Sequence, residues 1–227
     1  MSKTGLMEGS WPQIQIALDL VRLTDALRIA KIAASEGINW IEAGTPLIKS
    51  VGMEGVRVLR KRFPSKTVVA DMKTLDAGSI ESEMAFDAGA SVVSISGLAH
   101  DSTVRDAVKI CAKYDGTLMA DLLMSVNPHR RARQLETLGV DIVCVHTGID
   151  AQRAQGSRVK VDQKLRRIVR ALDVPVAAAG GINPETAKTL VRAGVSLLIV
   201  GNWITGSKSP ERAAGRLVRS VGSFQDP

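Results

Sequence analysis

Taken as apolar and polar positions alone, the chain repeats one unit: a short aliphatic run, a polar break, then apolar residues at helical spacing. Ile14-Gln-Ile-Ala-Leu-Asp19 predicts the first strand and residues 24–35 the first helix. Residues 38–42 predict the second strand, ending in Ala43-Gly-Thr-Pro46, with a helix over about 53–62. The third strand is Val68-Val-Ala-Asp-Met-Lys-Thr74, and its helix covers about 79–88 before Gly89. Residues 91–95 form the fourth strand, and Asp101 is placed to cap a helix over 102–113. The fifth strand is 117–121, with Pro128 near the start of a helix ending around Leu138. Residues 141–146 are the sixth, followed by a polar connection over 147–159 and a helix at about 162–172. The seventh (174–178) leads into Gly180-Gly181 and a helix over 184–193; the eighth (196–200) leads into Gly201 and a helix over 210–221.

Eight strand–helix units at intervals of about 25 residues predict an α/β protein, a single (β/α)8 TIM barrel over 1–227 with loose ends at about 1–12 and 221–227. A doubly wound open sheet usually carries a Gly-rich turn after its first strand. Here that turn is Asp19-Leu-Val-Arg-Leu23, without glycine.

At 227 residues the chain can bury such a core, and with only 3% aromatic residues it must build it from Ala, Val, Ile and Leu. A net charge of +7 favours anionic partners. The basic residues are spread through helical segments, with short runs only at 129–133 and 164–167, and lack the interleaved aromatics that stack nucleic-acid bases. A phosphorylated metabolite is therefore expected rather than nucleic acid. Cys111 and Cys144 have no zinc-like spacing and read as small buried hydrophobes of a reducing compartment. No apolar run is long enough to span a bilayer, and the first dozen residues lack the apolar core of a signal peptide, so a cytoplasmic protein without a membrane partner is expected.

In a barrel these strands deliver Asp19, Glu42, Asp71, Lys73, Asp121 and His146 to their C-terminal ends, where this fold places its chemistry. Alternation along the third strand turns Asp71 and Lys73 the same way. Glu42 and Asp71 end neighbouring strands and are hard oxygen ligands suited to Mg2+. Lys73 can stabilise an enediolate oxygen or move a proton. His146 has an imidazole suited to acid/base work near neutrality. His100 and His129 fall at a loop and a helix start and read as surface or capping residues. Asp121 reads as a substrate contact, and Gly180, Gly181, Gly201 and Asn202 form two loops whose backbone N–H groups suit a phosphate monoester.

These residues stand in longer motifs: Ala17-Leu-Asp19, Ile41-Glu-Ala-Gly-Thr-Pro-Leu-Ile48, Ala70-Asp-Met-Lys-Thr-Leu-Asp-Ala-Gly78, Glu81-Ser-Glu-Met-Ala85, His146-Thr-Gly-Ile-Asp-Ala-Gln152 and Ala179-Gly-Gly-Ile182. Together, from about Gln13 to Ala214, the chain resembles the 3-hexulose-6-phosphate synthases of the orotidine 5′-phosphate decarboxylase suprafamily, whose hallmark is Asp-x-Lys-x-x-Asp. The resemblance implies a Mg2+-dependent aldol reaction of ribulose 5-phosphate with formaldehyde through an enediolate, served by Asp19, Lys73, Asp76 and His146. It also implies a homodimer in which Asp76 enters the neighbour's site; on the sequence alone, Asp76 could equally cap the helix at Gly78 of its own chain. A close relative, 3-keto-L-gulonate-6-phosphate decarboxylase, carries an arginine in an Arg-Asp-Ala-Gln run where this chain has Ile149. That difference favours the synthase. A third alternative is a barrel that binds a sugar phosphate without turnover. Many suprafamily members have Gly-Arg after the eighth strand where this chain has Gly201-Asn202, which leaves the phosphate without that charge.

Overall fold

The computed structural model describes residues 12–156 and 158–222. Within them β1 (Gln13–Leu18), β2 (Trp40–Ala43), β3 (Thr67–Thr74), β4 (Val92–Ser96), β5 (Thr117–Asp121), β6 (Ile142–His146), β7 (Val176–Ala179) and β8 (Leu197–Val200) run parallel in chain order. β8 pairs back onto β1, Val200 beside Ile16, and closes the barrel. The helices are α1 (Leu23–Ser35), α2 (Thr45–Val51), α3 (Glu54–Arg62), α4 (Gly78–Asp87), α5 (Asp101–Lys113), α6 (Pro128–Thr137), α7 (Ile149–Gln155), α8 (Gln163–Ala171), α9 (Pro184–Arg192), α10 (Asn202–Thr205) and α11 (Pro210–Gly222).

Strand parity explains both the core and the site. Outward positions such as Ile16, Ile41, Val68, Val93, Leu118, Val143, Ala178 and Leu198 pack against the helices in one large apolar cluster. α1 meets it with Ala26, Ile29, Ala30 and Ala33, a single helical stripe. Inward positions form a second cluster of Trp40, Val69, Val92, Met119, Ile142, Cys144, Ala177 and Leu197 that plugs the barrel. One step further along the same parity the inward residues turn polar: Gln15, Glu42, Asp71, Ser94, Asp121 and His146. The apolar plug leaves water no route through the barrel, so this polar layer opens only toward the strands' C-terminal ends.

The structure departs from the sequence-based expectation in its short elements. α2, α7 and α10 occupy stretches expected to be strand ends or connections. Each is too short to show a periodic apolar stripe. The N-cap of α5 is His100, whose ring accepts from Ser102 N–H, and not Asp101. Asp101 is engaged instead by the Arg131 guanidinium at 2.6 Å. The last helix runs to Gly222 with Val221 buried, so the chain is not loose from 221. The remaining expected loose ends, 1–11 and 223–227, lie outside the described residues. No helix among the described residues is long and apolar enough to cross a membrane.

Candidate active site

The polar layer is organised by Lys73. Its ammonium donates to both oxygens of Asp71 at 2.9 Å and to Asp121 Oδ2 at 2.9 Å. Simple alternation does not produce this contact. β3 shifts register against β4 between Ala70 and Thr74, and Lys73 adopts a left-handed backbone with φ +47°. For a residue with a Cβ that conformation costs about 1 kcal/mol or more, and it persists where surrounding contacts fix it. Here Lys73 N–H donates to Ser94 Oγ at 2.9 Å, and Ser94 Oγ donates in turn to Asp71 Oδ1 at 2.7 Å.

Burial opposes the Lys73 charge, but Asp71, Asp121 and Glu42 outweigh it and hold the ammonium well above the ordinary lysine range. Lys73 is thus a fixed cation. Its second partner, Asp121, also takes His146 Nδ1 at 2.8 Å on the same Oδ2, while its Oδ1 accepts Leu123 N–H at 2.9 Å. Burial alone would raise the Asp121 carboxyl; His146 and Lys73 reverse that and hold it at about 2. The contact occupies His146 Nδ1 and leaves Nε2 as the ring nitrogen for substrate.

Glu42 and Asp71 are joined by Asp19, and one carboxylate oxygen from each lies within 4.8 Å of the other two. Asp19 fits because Gly44 faces it: a Cβ there would stand 2.3 Å from Asp19 Oδ1. Thr45 Oγ1 donates to Asp71 Oδ2 at 2.7 Å, and Gln15 Nε2 donates to Glu42 Oε2 at 2.5 Å. Burial first, then Asp71 and Asp19, push the Glu42 carboxyl well above the usual range. Asp19, on the solvent side, is also raised, by the protein packed around it and by Asp71. Carboxylates this close repel unless a cation sits among them, and hard oxygen donors match Mg2+. Gln15 Oε1, on the side chain that bonds Glu42, is buried without a hydrogen-bond partner among the described residues. The residues fit a divalent cation.

This electrostatic arrangement sets a pH dependence. A carboxyl raised in the folded state takes up a proton on folding, so its stability contribution is present at low pH and lost as pH rises toward the raised value. Without added cation, thermal stability is expected to fall from about pH 4.5 upward, by at most about 1.4 kcal/mol per pH unit for one proton. Glu42→Gln keeps the bond from Gln15 and is expected to flatten that slope. Thermal melts across pH, with and without Mg2+, check this; the Mg2+-induced rise should be larger at pH 8 than at pH 5.5.

The remaining predicted residues are placed less centrally. Gly180 and Gly181 follow β7 with φ +112° and +71°. Gly201 follows β8 close to Asp19, and exposed Asn202 opens α10 with its side chain over Gly206. Asp76 is exposed in the segment after β3 and does not cap α4, whose N-cap is Ala77 without a side-chain bond. Cys144 lines the floor of the site, but burial and then Asp121 push its thiol well up, which removes it as a nucleophile. Sequence reasoning missed Gln15, Thr45 and Ser94, neutral residues whose only signal was inward strand parity or, for Thr45, its place in the Glu-Ala-Gly-Thr-Pro run. A wider cavity of about 600 Å3 lies to one side, between 97–101 and 125–134, away from the carboxylates.

A family model described as orotidine 5′-phosphate decarboxylase / HUMPS family matches residues 12–217. The chain belongs to this family. It is 35% identical over 213 residues to the 3-hexulose-6-phosphate synthase of Mycobacterium gastri, covering 92% of this chain and 99% of that one. A crystal structure of 3-hexulose-6-phosphate synthase superimposes with a TM-score of 0.87 at 35% identity, over 92% of this chain and 99% of the other. The 3-keto-L-gulonate-6-phosphate decarboxylase of Vibrio cholerae O1 biovar El Tor gives 0.83 at 30% identity, over 96% and 100%. The chain is an enzyme of the lyase type, which sets aside a barrel that binds without turnover.

Proposed function

We propose that this enzyme condenses D-ribulose 5-phosphate with formaldehyde to give 3-hexulose 6-phosphate, reversibly, through an enediolate. The observation that carries the reading is the shared carboxylate of Asp121, which fixes a permanent cation (Lys73) and an oriented imidazole (His146) side by side. A lysine so strongly held charged is poorly suited to take a proton, so the base is His146 and Lys73 is the electrostatic partner. His146 Nε2 removes the C1 proton of ribulose 5-phosphate, the electron pair is shared between the C1 carbon and the C2 oxygen, and the charge that develops on that oxygen meets the Lys73 ammonium. The C1 carbon then attacks the formaldehyde carbon; the carbonyl electron pair moves to its oxygen, which takes the proton back from the imidazolium. Asp19, Glu42 and Asp71 would hold Mg2+, which supplies further positive charge for the enediolate when bound. Asp121 acts through Lys73 and His146, positioning both. The assay is ribulose 5-phosphate plus formaldehyde, with 3-keto-L-gulonate 6-phosphate run beside it. Turnover of the second alone would favour the decarboxylase; apolar, exposed Ile149 at the start of α7 speaks against it.

The same reading includes a homodimer with shared sites. Asp76 is exposed and has no hydrogen bond or ion pair among the described residues. Ala77 beside it is left-handed, with φ +54°. Leu75 and Ile80 around it are 60% and 63% exposed, apolar surface that a two-fold contact would cover. Lys73→Ala and Asp76→Ala are each expected to be inactive, and mixing them with subunit exchange should return about a quarter of wild-type activity, because half the dimers then carry one site with both residues. No recovery despite proven exchange would place Asp76 in its own subunit's site.

A further inference from the structure

After β8 this chain has Gly201-Asn202, so the phosphate loops lack the charged side chain that many suprafamily members carry there. Asn202 carries no charge and lies over Gly206. Arg216, nearby on α11, stacks over the Trp203 ring at 5.7 Å. A dianionic phosphate at the β7 loop, bound by backbone N–H groups alone, would also stand near the carboxylates of the polar layer.

A cation reaches that loop from elsewhere in the chain. The connection after β6 folds back across the β7 loop: Val159 N–H donates to Gly180 O at 2.9 Å, and Gln152 Nε2 donates to Thr147 O at 2.8 Å. The residue before buried Val159 is Arg158, and its stem lies on Gly181. A Cβ at Gly181 would stand 2.8 Å from Arg158 Cγ and 3.2 Å from its Cβ. Gly181 therefore answers two demands, its left-handed φ of +71° and the close passage of the arginine. The Arg158 guanidinium makes no hydrogen bond or ion pair among the described residues. Gly181 and Ile182 N–H groups donate to no backbone acceptor among those residues. An exposed, uncommitted guanidinium and unspent backbone donors at one loop are the complement of a phosphate monoester, since Arg presents a planar fork of donors to its oxygens.

We propose that Arg158 is the phosphate-recognition residue of this enzyme, closing over the substrate phosphate at the Gly180-Gly181 loop in place of a charge after β8. The inference rests on the sugar-phosphate reading above. Because Arg158 is exposed and outside every helix and strand, its replacement leaves the fold intact, which melting temperatures verify.

Calorimetric titration with ribitol 5-phosphate and with ribitol, on wild type, Arg158→Ala, Arg158→Lys and Arg153→Ala, separates the outcomes. Arg158→Ala is expected to weaken ribitol 5-phosphate about tenfold to a hundredfold, the usual effect of losing a hydrogen-bonded charge. Arg158→Lys should recover part of that loss, and Arg153→Ala, another cation of the same connection, should change nothing. Equal affinity in wild type and Arg158→Ala overturns the role of Arg158 while the sugar-phosphate reading stands. A wild type that binds ribitol as tightly as its phosphate overturns both.

Discussion

Lys73→Ala is expected to lower kcat for the aldol reaction by about a thousandfold, the scale on which single preorganised electrostatic groups act in a transition state. The ground for so large an effect is the geometry: one ammonium at 2.9 Å from Asp71 and from Asp121, held charged between two carboxylates. The same substitution leaves both carboxylates short of a counter-charge. The depressed Asp121 carboxyl contributes stability that is present above its unfolded pKa and lost as pH falls through about 2, so at neutral pH the variant loses part of it. Circular dichroism and melting at pH 7 separate the loss of fold from the loss of chemistry. Lys73→Arg keeps the charge but not the compact shape, and is expected to retain the fold with little turnover. A Lys73→Ala protein with near-wild-type kcat would remove the ammonium from the mechanism.

Removal of divalent cations by a chelator is expected to abolish turnover, by about a thousandfold or more, with recovery on adding Mg2+. The basis is the close grouping of Asp19, Glu42 and Asp71 and the upward push on Glu42 and Asp19 in the cation-free protein. Glu42→Gln, nearly isosteric, should lose most of its activity and stay folded. Full activity in excess chelator would leave the carboxylate cluster without its cation.

Much of this was legible in the sequence, for one physical reason. Strands buried on both faces read as continuous apolar runs, so all eight could be located, and the polar residues that interrupt them were conspicuous at their C-terminal ends. What distance in space decides was harder to see. Asp19 lies on β1's end and Asp71 on β3, and only the closed barrel shows that Asp19 belongs with Glu42 and Asp71. Asp121 read as a substrate contact, yet both its oxygens accept bonds from the protein, because the charges that claim it come from β3 and β6. Lys73 reaches Asp71 through a register shift and a left-handed backbone, which a non-glycine residue does not advertise. Ser94 and Gln15 carry no charge and so gave no signal beyond parity. The three unforeseen helices are local turns of the βα connections, too short for a hydrophobic period, and one of them, α7, belongs to the connection that brings Arg158 to the β7 loop.

The central claim is that His146 and Lys73 make an enediolate from ribulose 5-phosphate before any carbon–carbon bond forms. The most direct test is proton exchange at C1 in deuterated water with formaldehyde withheld, followed by NMR. The wild type is expected to wash deuterium into C1, and His146→Ala and Lys73→Ala to slow the exchange by about two orders of magnitude or more. A wild type that forms the aldol product at full rate yet shows no exchange at C1, with or without formaldehyde, would contradict it.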